Sequence, residues 1–225
     1  MPNEEYGHGL YRIRNEVETG TAAFYTAEEI NQFASESPNN LGKLNRDAGF
    51  WKLHVYALQT TYFITLGRLF DTRNDVHSMK AVFDETEVHP EYFVKTALGD
   101  RKRRAAGGQE PPWLDVYLTT VWVPTTDELK QFRVALEPAR TKYQPTYAAI
   151  RHKLFAHSER DIALAARLLE NTLITEIAEI FYALNEVVLA LHALYDNGAR
   201  HEVGTGSRSY VERVRTRTRT ILNRL

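Results

Sequence analysis

The chain has 225 residues, with 28 Lys and Arg against 29 Asp and Glu, no Cys, and a formal charge of -1. That length can bury a substantial core in one domain without help from a metal or a disulfide. Lacking Cys, the chain cannot form a disulfide scaffold, a thiolate zinc site or a cysteine nucleophile, and its near-neutral balance means that any basic footprint must be local.

The N-terminus, Met1-Pro2-Asn3-Glu4-Glu5, is acidic rather than basic, and no stretch reads as the ~20 apolar residues of a membrane span. A soluble, cytoplasmic protein with no membrane partner is the expectation. Residues 10 to 36 read as one or two mostly polar helices, closed by the connector Ser35-Glu36-Ser37-Pro38-Asn39-Asn40. A first long apolar stripe follows at alternating steps of three and four: Leu44, Ala48, Trp51, Val55, Leu58, Tyr62, Leu66 and Leu69. It stops at Asp71-Thr72-Arg73-Asn74-Asp75, a run of turn formers. Arg68 and Asp71 lie three apart on one helix face, close enough for an ion pair that helps to end this helix. Residues 90 to 106 suggest another helix before a loop at Gly107-Gly108-Gln109-Glu110-Pro111-Pro112. Val116 to Val123, rich in β-branched and aromatic residues, fits either a short strand or a packed extended segment.

The second stripe runs Leu129, Phe132, Leu136, Ala139, Tyr143, Tyr147, Ile150, Leu154. Thr125 followed by Glu128 predicts a capping box at its start. Pro145 lies inside it and is expected to kink rather than break it, because the stripe keeps its phase across the proline. The third stripe, Leu173, Ile177, Ile180, Leu184, Val187, Leu191 and Leu194, ends at Asp196-Asn197-Gly198, a glycine C-cap pattern. These stripes predict an all-α helical bundle. Residues 1–39 read as an N-terminal helical segment on the core, 40–198 as the bundle with an insertion at about 84–124, and 199–225 as a basic C-terminal tail.

The chemistry is sought at the end of the second stripe, in Tyr147-Ala148-Ala149-Ile150-Arg151-His152-Lys153-Leu154-Phe155-Ala156-His157-Ser158. Arg151 can hold a phosphate through forked, charge-assisted hydrogen bonds, and His157 can move a proton near neutral pH. Residues six apart on a helix turning ~100° per residue point roughly 120° apart. The two groups therefore meet only if the helix ends or distorts before His157, or if a second copy contributes across a two-fold axis. Lys153 lies four before His157 and shares its face. Lys153, Ser158 and Arg160 are candidate phosphate contacts. A plainer role fits the same residues: a His on an apolar stripe can cap a helix, and a flanking Arg can pair at the surface.

Ile150 to His157 resembles the Arg-x(4 to 6)-His motif of the HEPN superfamily (higher eukaryotes and prokaryotes nucleotide-binding), with its abortive-infection U-like branch as the nearest match. Gly67-Arg68-Leu69-Phe70-Asp71-Thr72-Arg73-Asn74-Asp75-Val76-His77-Ser78 is similar to that branch's Arg-Leu-x-Asp segment. The resemblance spans roughly residues 40 to 196. It implies a HEPN-type bundle that forms a homodimer and, in active members, a metal-independent endoribonuclease of phage defence or toxin-antitoxin systems, with an antitoxin as a possible partner. On that basis Arg151 is expected to bind the scissile phosphate of RNA, His157 to act as general base, and Arg68 and Asp71 to form the second family motif. His152 stands where the family often has Asn; it is a candidate RNA ligand, a second acid-base group or a surface residue.

Other chemistry finds little footing. The eight histidines are scattered, with no Glu-x-x-His pair, no second His beside His201-Glu202 and no glycine-rich phosphate loop. No metal site and no cofactor are expected. Two basic clusters remain, Arg101-Lys102-Arg103-Arg104 and the tail with Arg213, Arg215, Arg217 and Arg219; each is a candidate RNA contact. Glu4-Glu5 and Glu28-Glu29 offer them acidic partners within the chain or across subunits. A helix would spread the four tail arginines over two neighbouring pairs.

Overall fold

The computed structural model describes residues 3–156, 172–204 and 209–225, the side chains of 154–156 excepted. Every regular element among the described residues is helical, so the protein is all-α. The helices are α1 Asn3–Glu36, α2 Pro38–Asn45, α3 Ala48–Leu69, α4 Met79–Val88, α5 Lys95–Ala105, α6 Leu114–Thr120, α7 Thr126–Lys142, α8 Ile174–Asn197 and α9 Ser209–Leu222, with a 3-10 turn at Pro90–Phe93 and π-helical turns after α7. By contacts the chain divides into two compact units, each assembled from separated stretches: 1–15, 69–141 and 182–206 form one, and 16–68, 142–181 and 207–225 the other.

The first unit is organised around Tyr6, which is 2% exposed. Its ring lies 5.5 Å from Tyr92, 5.8 Å from Phe93 and 5.2 Å from Tyr195, and its hydroxyl bonds Thr86 at 2.8 Å. Arg101 stands over Tyr195, 4.0 Å from the ring centroid, and donates to the Tyr92 and Tyr195 carbonyls and to Asn3 Oδ1. It is thus a half-buried tie rather than a cation offered to RNA. Its neighbours in the basic cluster are also paired: Arg103 with Asp100 and Glu110, Arg104 with Glu4, Lys102 with Asn197. The segment from Val116 is helical through Thr120, not a strand; Thr119 and Thr120 bond back to the Val116 and Tyr117 carbonyls, and the chain then extends until Trp122 N–H meets the Gly198 carbonyl. The Thr125 capping box closes in both directions: Thr125 N–H donates to Glu128 Oε2 at 2.8 Å, and Glu128 N–H donates to Thr125 Oγ1 at 3.2 Å. Gly198 caps α8 at φ +54°, its N–H reaching the Leu194 carbonyl.

In the second unit, Ile30, Phe33, Leu44 and Leu222 form a buried cluster, and Trp51, Val55 and Leu58 pack against it. Leu44 belongs to α2, so the first stripe is interrupted by a turn before α3 resumes it. The polar reading of residues 10 to 36 is corrected. They lie within one 34-residue helix whose Leu10, Ile13, Val17, Phe24, Ile30 and Phe33 are all buried. The stripe is hard to see in sequence because small and polar residues interrupt it. At Gly20 an added Cβ would stand 2.7 Å from Phe181 and 2.8 Å from Thr65, so glycine lets α1, α3 and α8 approach closely there.

Two stripes keep their predicted burial almost throughout. Leu129, Phe132, Leu136, Ala139, Tyr143, Tyr147 and Ile150 are each at most 6% exposed, and Ile177, Ile180, Leu184, Val187 and Leu191 are fully buried; Leu173 is exposed. Helix α8 also corrects the reading of hydropathy: by length and composition alone it is apolar enough to cross a bilayer.

Candidate functional site

The helix that carries the motif is not α-helical to its end. At Pro145 the chain adopts a π-turn, Tyr143–Tyr147, in which Ala148 N–H reaches the Tyr143 carbonyl five residues back. Proline has no N–H and its ring collides with the carbonyl four residues earlier; the wider turn accommodates it without ending the helix. One α-turn, Ala148–Ile150, separates this from a second π-helical stretch, Arg151–Ala156. The distortion expected as one route to a shared face is therefore present up to Ala156. His157, Ser158 and Arg160 lie outside the described residues.

Two buried side chains hold this segment. Ile150 and Tyr147 are 0% exposed. The Tyr147 hydroxyl donates to Glu176 Oε2 at 2.7 Å, accepts from Leu173 N–H at 3.2 Å and lies 3.3 Å from the Leu173 carbonyl. Tyr147 thereby binds the start of α8 to the motif helix. Burial, reinforced by donation to Glu176, pushes its phenol up to about 12. Lys142 pairs with Glu179 and adds a second tie between the same two elements.

Arg151 follows Tyr147 by one turn and is half-buried. Its side chain lies against α3 at Gly67: a Cβ built there would stand 2.5 Å from Arg151 Nε, 2.8 Å from Cδ and 2.9 Å from Cγ. Among the described residues, Gly67 and Arg151 thus bring the two motif segments into contact. Arg151 Nε is buried and has no hydrogen-bond partner among the described residues. His152 is exposed and Lys153 half-buried. Arg68 is exposed and donates to Glu16 at 3.0 and 3.4 Å, while Asp71 accepts the Arg73 backbone N–H at 2.9 Å and its guanidinium at 3.2 Å. Each of the expected ion-pair partners therefore has another partner, and Asp71 shapes the turn after α3.

Asp71 also borders a cavity of about 270 Å³ in the first unit, with Leu69, Met79, Phe83 and Leu136 as apolar lining and Lys80 and Arg133 at the polar side. Lys80 is paired with Asp84, and Arg133 with Asp84 and Glu87. Among the described residues no group of three His, Asp or Glu side chains is placed to hold a metal ion.

The basic tail forms the helix α9, and its arginines divide into the expected two pairs. Arg215 and Arg219 are half-buried and face α1: Arg219 bonds Glu29 and Glu36, and Arg215 stands 3.7 Å from Glu29. Arg213 and Arg217 are exposed. Two of these four arginines thus pair within the fold, both of them with Glu29 of the acidic stretch anticipated in sequence.

Sequence reasoning missed Gly67 as the surface on which Arg151 rests, although a signal was available. Glycine inside a helix costs roughly 1 kcal/mol relative to Ala, and such a residue usually marks close packing. Chemically, a half-buried guanidinium whose stem is supported by a helix backbone has donors that can bind an anion.

No curated protein and no solved structure matches the chain. The family model HEPN_AbiU2, described as AbiU2, matches residues 4–214, which takes in both motif segments, the helical bundle and the first part of α9. The chain belongs to this HEPN family.

Proposed function

We propose that the protein is a metal-independent endoribonuclease, acting as a homodimer in phage defence or as the toxin of a toxin-antitoxin pair. The observation that carries the reading is Arg151: a half-buried arginine, seated on Gly67 in a π-distorted motif helix, with no carboxylate partner among the described residues. Other arginines among the described residues are paired with carboxylates, as Arg68, Arg133 and Arg219 are. A guanidinium with no such partner among the described residues suits an anionic ligand from outside, and membership of the HEPN_AbiU2 family makes an RNA phosphate the natural one.

In this mechanism Arg151 binds a non-bridging oxygen of the scissile phosphate and stabilises the charge that develops there. His157 takes the proton of the ribose 2′-hydroxyl, the 2′-oxygen attacks phosphorus, and the bond to the 5′-oxygen breaks with protonation of that leaving group. The products are a 2′,3′-cyclic phosphate and a 5′-hydroxyl. His152, Lys153, Ser158 and Arg160 flank the reacting groups in sequence and supply contacts to RNA.

The test is incubation of wild-type, His157→Ala and Arg151→Ala protein with total cellular RNA in excess EDTA, with mapping of fragment ends. Wild-type cleavage leaving cyclic phosphates is expected, with none from His157→Ala. Loss of Arg151 is expected to cost about a hundredfold or more, as for loss of one donor to a developing oxyanion. Equal cleavage by all three proteins refutes the assignment.

A second reading, a non-catalytic module for dimerisation or for binding an antitoxin-like partner, has its own support. The first half of α3 exposes Phe50, Leu53 and Tyr56, each more than half accessible, on the side away from the Trp51 cluster. Under that reading Phe50→Asp and Leu53→Asp abolish self-association or partner capture while His157→Ala leaves both unchanged.

A further inference from the structure

Gly67 lies in the last turn of α3, between the fully buried Leu66 and the exposed Arg68. Apart from proline, glycine is the poorest helix former, and a helical φ makes no demand that alanine cannot meet. The need for glycine is steric. The three atoms nearest to a Cβ at this position all belong to Arg151, and they are successive atoms of its stem, Cγ, Cδ and Nε, at 2.9, 2.8 and 2.5 Å. A clash with the tip of a flexible chain is relieved by one rotation, but a clash along the stem displaces the whole side chain.

We propose that Gly67 is a positioning residue for Arg151, and that it fixes how the arginine grips its ligand. The proposal rests on the reading of Arg151 as the phosphate-binding group. With the stem laid on the α3 backbone, Nε is buried and closed to a ligand. The phosphate is then held end-on by Nη1 and Nη2, the pair that remains at the free edge of the guanidinium, and not side-on through Nε. An alanine at 67 lifts the stem, moves this edge and undoes the alignment.

The test compares wild type, Gly67→Ala, Arg151→Ala and the double variant in two measurements. The first is the thermal midpoint without RNA. Gly67→Ala is expected to lower it when Arg151 is present and to raise it in the Arg151→Ala background, where the clash is gone and only alanine's better helix propensity remains. The second is affinity for a fluorescein-labelled single-stranded RNA oligonucleotide in EDTA. Gly67→Ala is expected to weaken binding about tenfold or more, as loss of a charge-assisted bidentate contact does, and the double variant to bind no more weakly than Arg151→Ala.

A thermal shift of the same sign in both backgrounds overturns the contact. Wild-type affinity retained by Gly67→Ala while Arg151→Ala loses it overturns the positioning role. If wild-type protein binds no RNA although the thermal sign reverses, the RNA assignment of Arg151 fails and the positioning role falls with it. Should Gly67→Ala not fold, recovery of folding in the double variant supports the proposal, and failure of the double variant as well refutes it.

Discussion

Replacing Tyr147 by Phe removes one oxygen from a fully buried side chain and leaves the ring in place. That oxygen makes a 2.7 Å bond to the Glu176 carboxylate and accepts the Leu173 N–H at 3.2 Å. A hydrogen bond to a charged group contributes about 1.5 to 3 kcal/mol and a neutral one about 1. Leu173 is exposed, so water can satisfy its N–H in the variant and most of the loss comes from Glu176. About 2 kcal/mol of stability is therefore expected to disappear, with the ring packing against Phe63 retained. The assay is urea denaturation of wild type, Tyr147→Phe, Glu176→Gln and the double variant. The double variant should be little less stable than Tyr147→Phe alone, because both single changes act on the same bond: Phe removes its donor, and Gln turns its charged acceptor into a neutral one. The alkaline limb provides a second check. The folded phenol is raised from its ordinary 10 to about 12, so its protonated form stabilises the fold fully below pH 10, and that contribution is lost as the pH climbs through 10 to 12. Tyr147→Phe should flatten this part of the wild-type stability curve. Strictly additive losses for Tyr147→Phe and Glu176→Gln, or an unchanged alkaline limb, refute the reasoning.

Two further perturbations test the frame around the site. Arg219→Met removes the bonds from α9 to Glu29 and Glu36 and leaves the buried Glu29 with Arg215 at 3.7 Å; a loss of about 1 to 3 kcal/mol and faster amide exchange confined to α9 are expected, whereas uniform exchange along α9 in both proteins would show that the pairs do not hold it. Thr125→Ala removes the hydroxyl arm of the capping box, which accepts the Glu128 N–H, and leaves the Glu128 carboxylate on the backbone N–H of residue 125; it is expected to lower stability by about 1 kcal/mol, measured as a shift in urea midpoint at constant slope, and a neutral result would mean that the remaining arm, Pro124 and the packing of Leu129 start α7 without the hydroxyl.

Helix order and the buried faces of α7 and α8 were legible because their information is local. Apolar residues at steps of three and four decide which face a helix buries whatever it packs against, and Thr125-x-x-Glu128 closes a box within one turn. The tail arginines divided as their spacing required, and the cap at Gly198 follows from the positive φ that ends α8. Where the rule is not local, the reading failed. Helix α1 looked polar because part of its buried face, Gly20 and Thr21, consists of residues chosen for close approach rather than hydrophobicity. The 116–120 segment looked extended from its β-branched residues, yet its threonines bond within a helical turn.

The identity of Arg151 as the residue of interest, and its family motif, came from the one-dimensional chain. That its stem lies on Gly67, that its Nε is buried without a partner among the described residues, and that Tyr147 binds the motif helix to the start of α8 were settled by packing between elements far apart in sequence. Periodicity specifies which face of a helix turns inward but not which atom of another helix it meets there. That depends on how closely two backbones approach, and at position 67 the approach is possible only because the residue has no side chain.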